Sequence, residues 1–332
     1  MIQPFSDEQV RALVNLRQRY EVWMEAVRAR AALPYDLRRK TVADHVYLYE
    51  IADRSGTGKS LGPWSEQLET RFEAFRAERD RLKSRIAESR ERLDESSRLA
   101  RALRVPMVAS EAGAILREAD KRGLLGGSLL VVGTNAVAAY ALEAGGFIPD
   151  LPDETADFDL AWAETELRDS EQTVWDLLKA VDSTFTVNTE RTFQARNSKA
   201  YEVEILAAPS RVGTMARTDR PRPIPLPEQE WLLLGRPVDQ VLICRDGSPV
   251  RIVAPDPRWF ALQKLWMSEQ PKRNTLKRRK DRKQGRLLLE AIATAMPHYP
   301  LNDGFEAQLP GELAPLYARW DEERPKPASP EW

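Results

Sequence analysis

Cysteine and histidine are almost missing from this chain. Its 332 residues include one cysteine, Cys244, and two histidines, His45 and His298. One cysteine can neither close an intramolecular disulfide nor build a cysteine-ligated metal cluster. It lies in the apolar run "VLIC", where a thiol behaves as a small buried hydrophobe. The histidines are far apart and flank no nucleophile, which argues against Ser-His-Asp and Cys-His catalysis. Net charge is also missing: 50 Lys+Arg against 51 Asp+Glu leave −1. Whole-molecule electrostatics therefore neither favour nor oppose a polyanionic partner, and only local patches count. No apolar run approaches the roughly 18 residues of a membrane span. The start "MIQPFSDEQV" has no charged head before an apolar stretch, unlike a secretory leader. The expected compartment is the cytoplasm, with no membrane contact.

What is present is length for about two domains, with 42% hydrophobic residues for a core and 30% charged residues for a surface. Four segments follow from the texture. Residues 1–106 hold a helix from about Ser6 to Ala32, a β-hairpin and a long charged helix from about Ser65 to Arg104. The apolar positions of that helix, Leu68, Phe72, Phe75, Leu82, Ile86 and Leu93, follow an a/d seam. The seam fits a helical hairpin arm, a homodimeric coiled coil, or one helix packed on its own domain. Residues 107–215 alternate helices and strands. Residues 216–320 begin with a proline-rich connector, then a hairpin "VLICRDGSPVRIV" and three helical segments. Residues 321–332 read as a disordered tail.

One stretch imitates a phosphate-binding loop. In "IADRSGTGKSLG", Gly58, Lys59 and Ser60 supply the end of a Walker A element. The first glycine it requires falls on Asp53, and Pro63 blocks the helix that must follow the lysine. The stretch is expected to be a hairpin turn.

The middle segment carries the chemistry. The strand-like run "SLLVVG" ends at Gly133, and Thr134 and Asn135 open a helix. Glycine there lets a phosphate approach the backbone, and a helix start favours an anion. Downstream, Asp157 and Asp159 alternate with Phe158 and Leu160 in "DFDL". On a strand both acids share one face, with Cα atoms roughly 6–7 Å apart. A divalent cation is the usual reason to build such a pair, and Glu204, in "YEVEIL", can add a third carboxylate from a neighbouring strand. Glu202 shares that strand face and competes for the role. Hard oxygen donors suit Mg²⁺ or Mn²⁺.

The order strand–Gly133–Thr134–helix, then Asp157-x-Asp159, then an acidic strand with Glu204 resembles the DNA polymerase β-like nucleotidyltransferase superfamily. The long interval before "TADFDL" looks most like its bacterial branch related to abortive-infection and toxin–antitoxin nucleotidyltransferases. "FALQKL" followed by "KRRKDRKQGRLLLEAI" is similar to the helical part of that branch. The resemblance covers about Ser110 to Ile292. It implies an α/β (α+β) nucleotidyltransferase core with a small mixed sheet. An N-terminal helix, hairpin and long helix would flank it on one side and C-terminal helices on the other. It also implies transfer of a nucleoside monophosphate from an NTP such as ATP to an acceptor hydroxyl, with pyrophosphate released. Asp157, Asp159 and Glu204 would then be catalytic and hold the metal. Gly133, Thr134, Asn135, Lys264 and Lys280 would bind the nucleotide. Two positions depart from the commoner pattern, Thr134 for a second glycine or a serine and Glu204 for an aspartate, and each keeps its chemistry.

The acceptor stays open between a protein side chain, an RNA end and a small molecule. Between Lys272 and Arg286 stand nine Lys/Arg and one Asp. They form a solvated helix face, a set of triphosphate contacts, or a patch for a nucleic-acid backbone. The rival to catalysis is a silent nucleotidyltransferase fold that binds a nucleotide, a nucleic acid or a partner protein in a toxin–antitoxin-like role.

Overall fold

The structure, a computed structural model, describes residues 2–152, 157–166 and 173–324. The start of the helix expected from Thr165 falls partly outside those residues, as does the end of the tail. The chain opens with a two-residue strand, Gln3–Pro4 (β1), and helix Asp7–Ala32 (α1). Ser6 and Gln9 close a capping box at the start of α1, with side-chain-to-backbone bonds of 3.2 and 2.9 Å. This satisfies two of the amides a helix start leaves orphaned.

Three antiparallel strands follow: Asp36–Val42 (β2), His45–Ile51 (β3) and Gly58–Pro63 (β4). The glycine-rich imitation of a P-loop is therefore the β3–β4 hairpin connection. Strand β2 is not foreshadowed in the sequence. Its turn uses Ala43 and Asp44 at φ 47° and 65°, a backbone that Asn-Gly pairs usually advertise.

Helix Glu66–Ala102 (α2) is capped by Ser65. Its seam is covered within the chain. Leu68, Phe72 and Phe75 pack with Leu37 and Leu48 of the meander, while Leu93 and Ala100 pack with Leu16, Tyr20 and Met24 of α1. Helices α1 and α2 thus form an antiparallel hairpin arm tipped by β2–β4.

The core begins with Met107–Val108 (β5), Ser110–Lys121 (α3) and Leu129–Val131 (β6). A 3₁₀ turn at Gly133–Ala136 leads into Val137–Glu143 (α4), Gly146–Phe147 (β7) and Asp157–Trp162 (β8). Next come Thr173–Val181 (α5), Thr186–Val187 (β9), Gln194–Arg196 (β10), Glu202–Ala207 (β11) and Ile224–Pro225 (β12). The central sheet is mixed, in the order β6-β8-β11-β10-β9, with β12 also on β11. Phe158, Leu160, Val203 and Ile205 of its inner strands are fully buried together with Ile115 and Leu116 of α3 and Leu177 of α5. Strands Val238–Cys244 (β13) and Pro249–Ala254 (β14) form the expected hairpin, with β5 added alongside β13.

Among the described residues four helices come last rather than three: Pro257–Glu269 (α6), Thr275–Ala295 (α7), Asp303–Glu306 (α8) and Ala314–Glu323 (α9). Residues 321–323, expected in a disordered tail, are helical because Tyr317 and Trp320 of α9 are buried in the core. The architecture is α+β. Among the described residues, no helix is long and apolar enough to cross a membrane.

The arm is fastened to the core by one buried acid. Asp120 of α3 is 0% exposed and accepts from Tyr20 Oη at 2.9 Å, from Arg28, and from Arg251 Nη1 at 2.8 Å. Burial, followed by the Asp120 charge, raises the Tyr20 phenol well above its ordinary pKa. Asp120→Ala should cost about 3–5 kcal/mol, because it strips a buried pair of one partner. Urea unfolding measures this. Asp120→Asn, which keeps an acceptor oxygen, should lose less.

Candidate active site

Strand alternation aims Asp157 and Asp159 at one face of the central sheet while Phe158 and Leu160 go into the core. Strand β11 lies parallel to β8, with Glu202 opposite Asp157 and Glu204 opposite Asp159. Neighbouring strands are about 4.8 Å apart, so four carboxylates share a small area of one face. The other neighbour of β8 is β6, which ends at Gly133. Val132 donates its backbone N–H to the Asp159 carbonyl at 3.1 Å. Gly133 has φ +65°, and a Cβ there would overlap the Asp159 carboxylate. Here glycine is required twice, by the backbone conformation and by the close approach.

A cavity of about 210 Å³ opens on this face. Gly133, Asp157, Asp159 and Glu204 line one side, and Lys264, Arg273 and Lys277 the other. Two of the cations, Lys264 and Arg273, are held from below by Asp281, which is 0% exposed. Lys264 Nζ lies 3.2 Å from Asp281 Oδ1, and Arg273 Nε 2.8 Å from Oδ2. Lys277 Nζ stands 3.7 Å from Asp157 Oδ2. On the acidic side, Gln194 donates to both Glu202 and Glu204 at 3.1 Å. Its own amide oxygen is fixed by Asn188 at 2.7 Å.

Burial raises the Asp159 carboxyl to about 6, reinforced by the Glu204 and Asp157 charges against the opposing pull of Lys264 and Lys277. Glu204 is raised by burial and then by Asp157, with Lys277 and the Gln194 bond working the other way. Burial lowers Lys264, while Asp281 and Asp159 partly restore it. Acids pushed up and a lysine pushed down in one cavity are the mark of a site built around charges still to arrive.

The sequence-predicted residues are thus partly gathered. Asp157, Asp159, Glu204, Gly133 and Lys264 meet at the cavity, and Glu202 does not line it. Instead Glu202 lies 3.8 Å from Arg196. Thr134 and Asn135 are buried behind the site. The Thr134 hydroxyl meets Gln284 Nε2 at 3.4 Å, and Asn135 Nδ2 donates to the Asp157 carbonyl at 3.0 Å. Both brace the turn, and neither lines the cavity. Lys280 does not line the cavity either, and Lys277 and Arg273 stand where it was expected. For Arg273 the signal is Asp281, the lone acid in a basic run, whose carboxylate it meets; Lys277 pairs with Asp157 instead and has no such signal.

An α+β core that presents paired carboxylates on adjacent strands to a ring of cations is the frame of a nucleotide-handling transferase. Residues 110–309 match the family model described as nucleotidyltransferase, and the chain belongs to that family. No curated protein and no solved structure matches the chain.

Because the Asp159 pKa is raised in the folded state, the fold holds its proton more tightly than the unfolded chain does. Stability should therefore fall as pH rises from about 4 through 6, then stay lowered. Asp159→Asn removes that penalty and should stabilise the metal-free protein by on the order of 1–2 kcal/mol at pH 7.5. Below pH 4 the gain should vanish. Thermal unfolding at both pH values checks it.

Proposed function

We propose that this protein transfers a nucleoside monophosphate from an NTP to an acceptor hydroxyl in a reaction that depends on Mg²⁺ or Mn²⁺. One observation carries the reading. Two carboxylates of β8 and the in-register Glu204 of β11 face Lys264, Arg273 and Lys277 across a single cavity.

In the transfer, the acceptor oxygen bonds to the α-phosphorus, the bond from that phosphorus to the bridging oxygen breaks, and pyrophosphate leaves. The acceptor proton passes to a carboxylate. Glu204 and Asp159, with their raised affinity for protons, suit that task. Lys264, Arg273 and Lys277 draw the triphosphate in and hold it, and Gly133 leaves room for it beside the backbone.

The donor set has the chemistry of a hard-cation site, since three carboxylates crowd and repel one another. As placed, they do not converge: among the described residues, no group of three or more His, Cys, Asp or Glu is gathered to hold an ion. Asp157 is drawn to Lys277 and Glu204 to Gln194. Asp157 and Asp159 are the residues that would hold the metal, with Glu204 joining them. When bound, the ion supplies neutralisation of the phosphates and activation of the attacking oxygen. The second reading keeps the cavity and its cations without the chemistry: a silent fold that binds a nucleotide or partner without turnover. In both readings the α2 seam serves the arm.

Incubation with α-labelled NTPs, either metal and a cell lysate, followed by protease or RNase, tests the proposal and names the acceptor class. The expected result is metal-dependent labelling that drops at least about 100-fold in Asp157→Ala/Asp159→Ala, the scale of losing a preorganised charge contact. NTP binding without labelling would instead establish the silent fold. Lys277→Ala should weaken NTP binding more than Lys280→Ala, measured by calorimetry.

A further inference from the structure

Helix α7 has two faces with different work. Asp281, Gln284 and Leu288 point into the core, and Lys277 faces the cavity. The opposite face borders a groove of about 460 Å³ lined by Arg278, Arg279, Arg282, Lys283 and Arg286. No carboxylate lines this groove among the described residues. Arg278 donates to the Ser268 carbonyl at 2.8 Å, and Arg286 pairs with Glu290 at 3.1 Å. Arg279, Arg282 and Lys283 are exposed, and none makes a side-chain hydrogen bond or ion pair among the described residues.

That pattern costs stability. Residues four apart on a helix are neighbours, and like charges there repel. The groove stacks three such pairs: 278 with 282, 282 with 286, and 279 with 283. Other like-charged neighbours in the chain are relieved by acids: on α2, Arg79, Arg81 and Arg85 meet Asp36, Glu78 and Glu25, and on α3 Lys121 meets Glu118. A concave face left this positive attracts a polyanion.

The geometry points to a single-stranded RNA as that polyanion, seated in the α7 groove as the acceptor of the proposed transfer. This rests on the reading of the cavity given above. From Arg278 to Arg286 the helix advances about 12 Å, room for about three phosphates at 3.4 Å per residue of a strand. Two hydroxyl side chains, Ser268 and Thr275, share the lining. Ser268 is buried and donates its proton to the Leu265 carbonyl at 2.7 Å, whereas Thr275 is exposed and its hydroxyl can exchange a hydrogen bond with a ribose 2′-hydroxyl. The groove and the cavity lie on two sides of one helix, about 10–12 Å across, and Arg278 follows Lys277 directly. A strand leaving the groove around the first turn of α7 reaches the cavity within a few nucleotides. It would pass Leu276, a side chain 75% exposed with no apolar cover, which offers a surface to an unstacked base. The terminal ribose oxygen then bonds to the α-phosphorus, pyrophosphate departs, and the hydroxyl proton goes to the carboxylate side of the cavity.

The test is fluorescence anisotropy of a labelled single-stranded RNA of about 12 nucleotides, within the usual single-strand site size. Titrations over a range of KCl would use the full chain, Asp157→Ala/Asp159→Ala, and Arg279→Gln/Arg282→Gln/Lys283→Gln. The substituted groove residues are exposed, and circular dichroism confirms that the variant folds. Binding with a log–log salt slope between about −2 and −3.5 is expected for three to five neutralised phosphates. In the groove variant, binding should be at least about tenfold weaker, with the slope flattened by about 2. The carboxylate variant should keep RNA binding and lose labelling, whereas an unsubstituted chain that binds RNA but gives no NTP-derived labelling is a failure of the transfer reading alone. Unchanged RNA binding in the groove variant would overturn the seat. So would equal affinity for the DNA of the same sequence, or a preference for anionic vesicles.

Discussion

Everything at the cavity follows from the parallel pairing of β8 with β11 in a register that sets Asp159 beside Glu204. Shifting either strand by one residue would exchange its faces, so that Phe158 and Val203 faced the cavity and the acids entered the core. The register is secured by Phe158, Leu160, Val203 and Ile205, all fully buried. Packing free energy thus holds together charges that would otherwise separate. The neighbouring features answer the resulting repulsion: Gln194 spans the two glutamates, Lys277 stands by Asp157, and Gly133 yields space to the Asp159 side chain. Asp281 performs the mirror task for Lys264 and Arg273.

Much of this was legible in the sequence, for a physical reason. Period-2 alternation in "DFDL" and "VEIL" reports both the strand and the face on which the acids lie. The family match then covers the α+β core foreseen from those runs. What was not legible depends on contacts distant in sequence. Strand β10 has three residues and exists because Gln194–Arg196 pairs with β11. Asn135 and Thr134 sit at a helix start where a ligand contact and a structural brace look identical in sequence, and only the positions of Asp157 and Gln284 separate them. The resemblance points to Lys280 while Lys277 lines the cavity, because a basic run fixes no helix phase by itself. The phase comes from Asp281, whose burial is a tertiary fact. Strand β2 lacked a turn signal, and residues 321–323 look polar until Trp320 anchors the helix that carries them.

The family match begins at residue 110, so the arm of α1, β2–β4 and α2 lies outside it. Its attachment is nonetheless specific. Tyr20 and Arg28 of α1 and Arg251 of β14 converge on Asp120, and Arg17 donates to the Asp239 carbonyl at 2.8 Å. A surface this polar needs its partners at fixed places, unlike a purely apolar seam that tolerates sliding. The arm is therefore set at one orientation on the core, above the helix whose strand neighbours lead to the cavity.

The same arm has mechanical consequences. From Leu82 back to Glu66, α2 runs about 24 Å beyond the stretch that α1 and the core clasp, and it carries the meander at its end. A rod clamped at one end multiplies rotation into displacement. A tilt of about 5° at the clamp moves the meander by roughly 2 Å over that length. Asp120 and its three donors therefore serve as a fulcrum, and the stiffness of that small polar cluster sets how far the tip of the arm can swing.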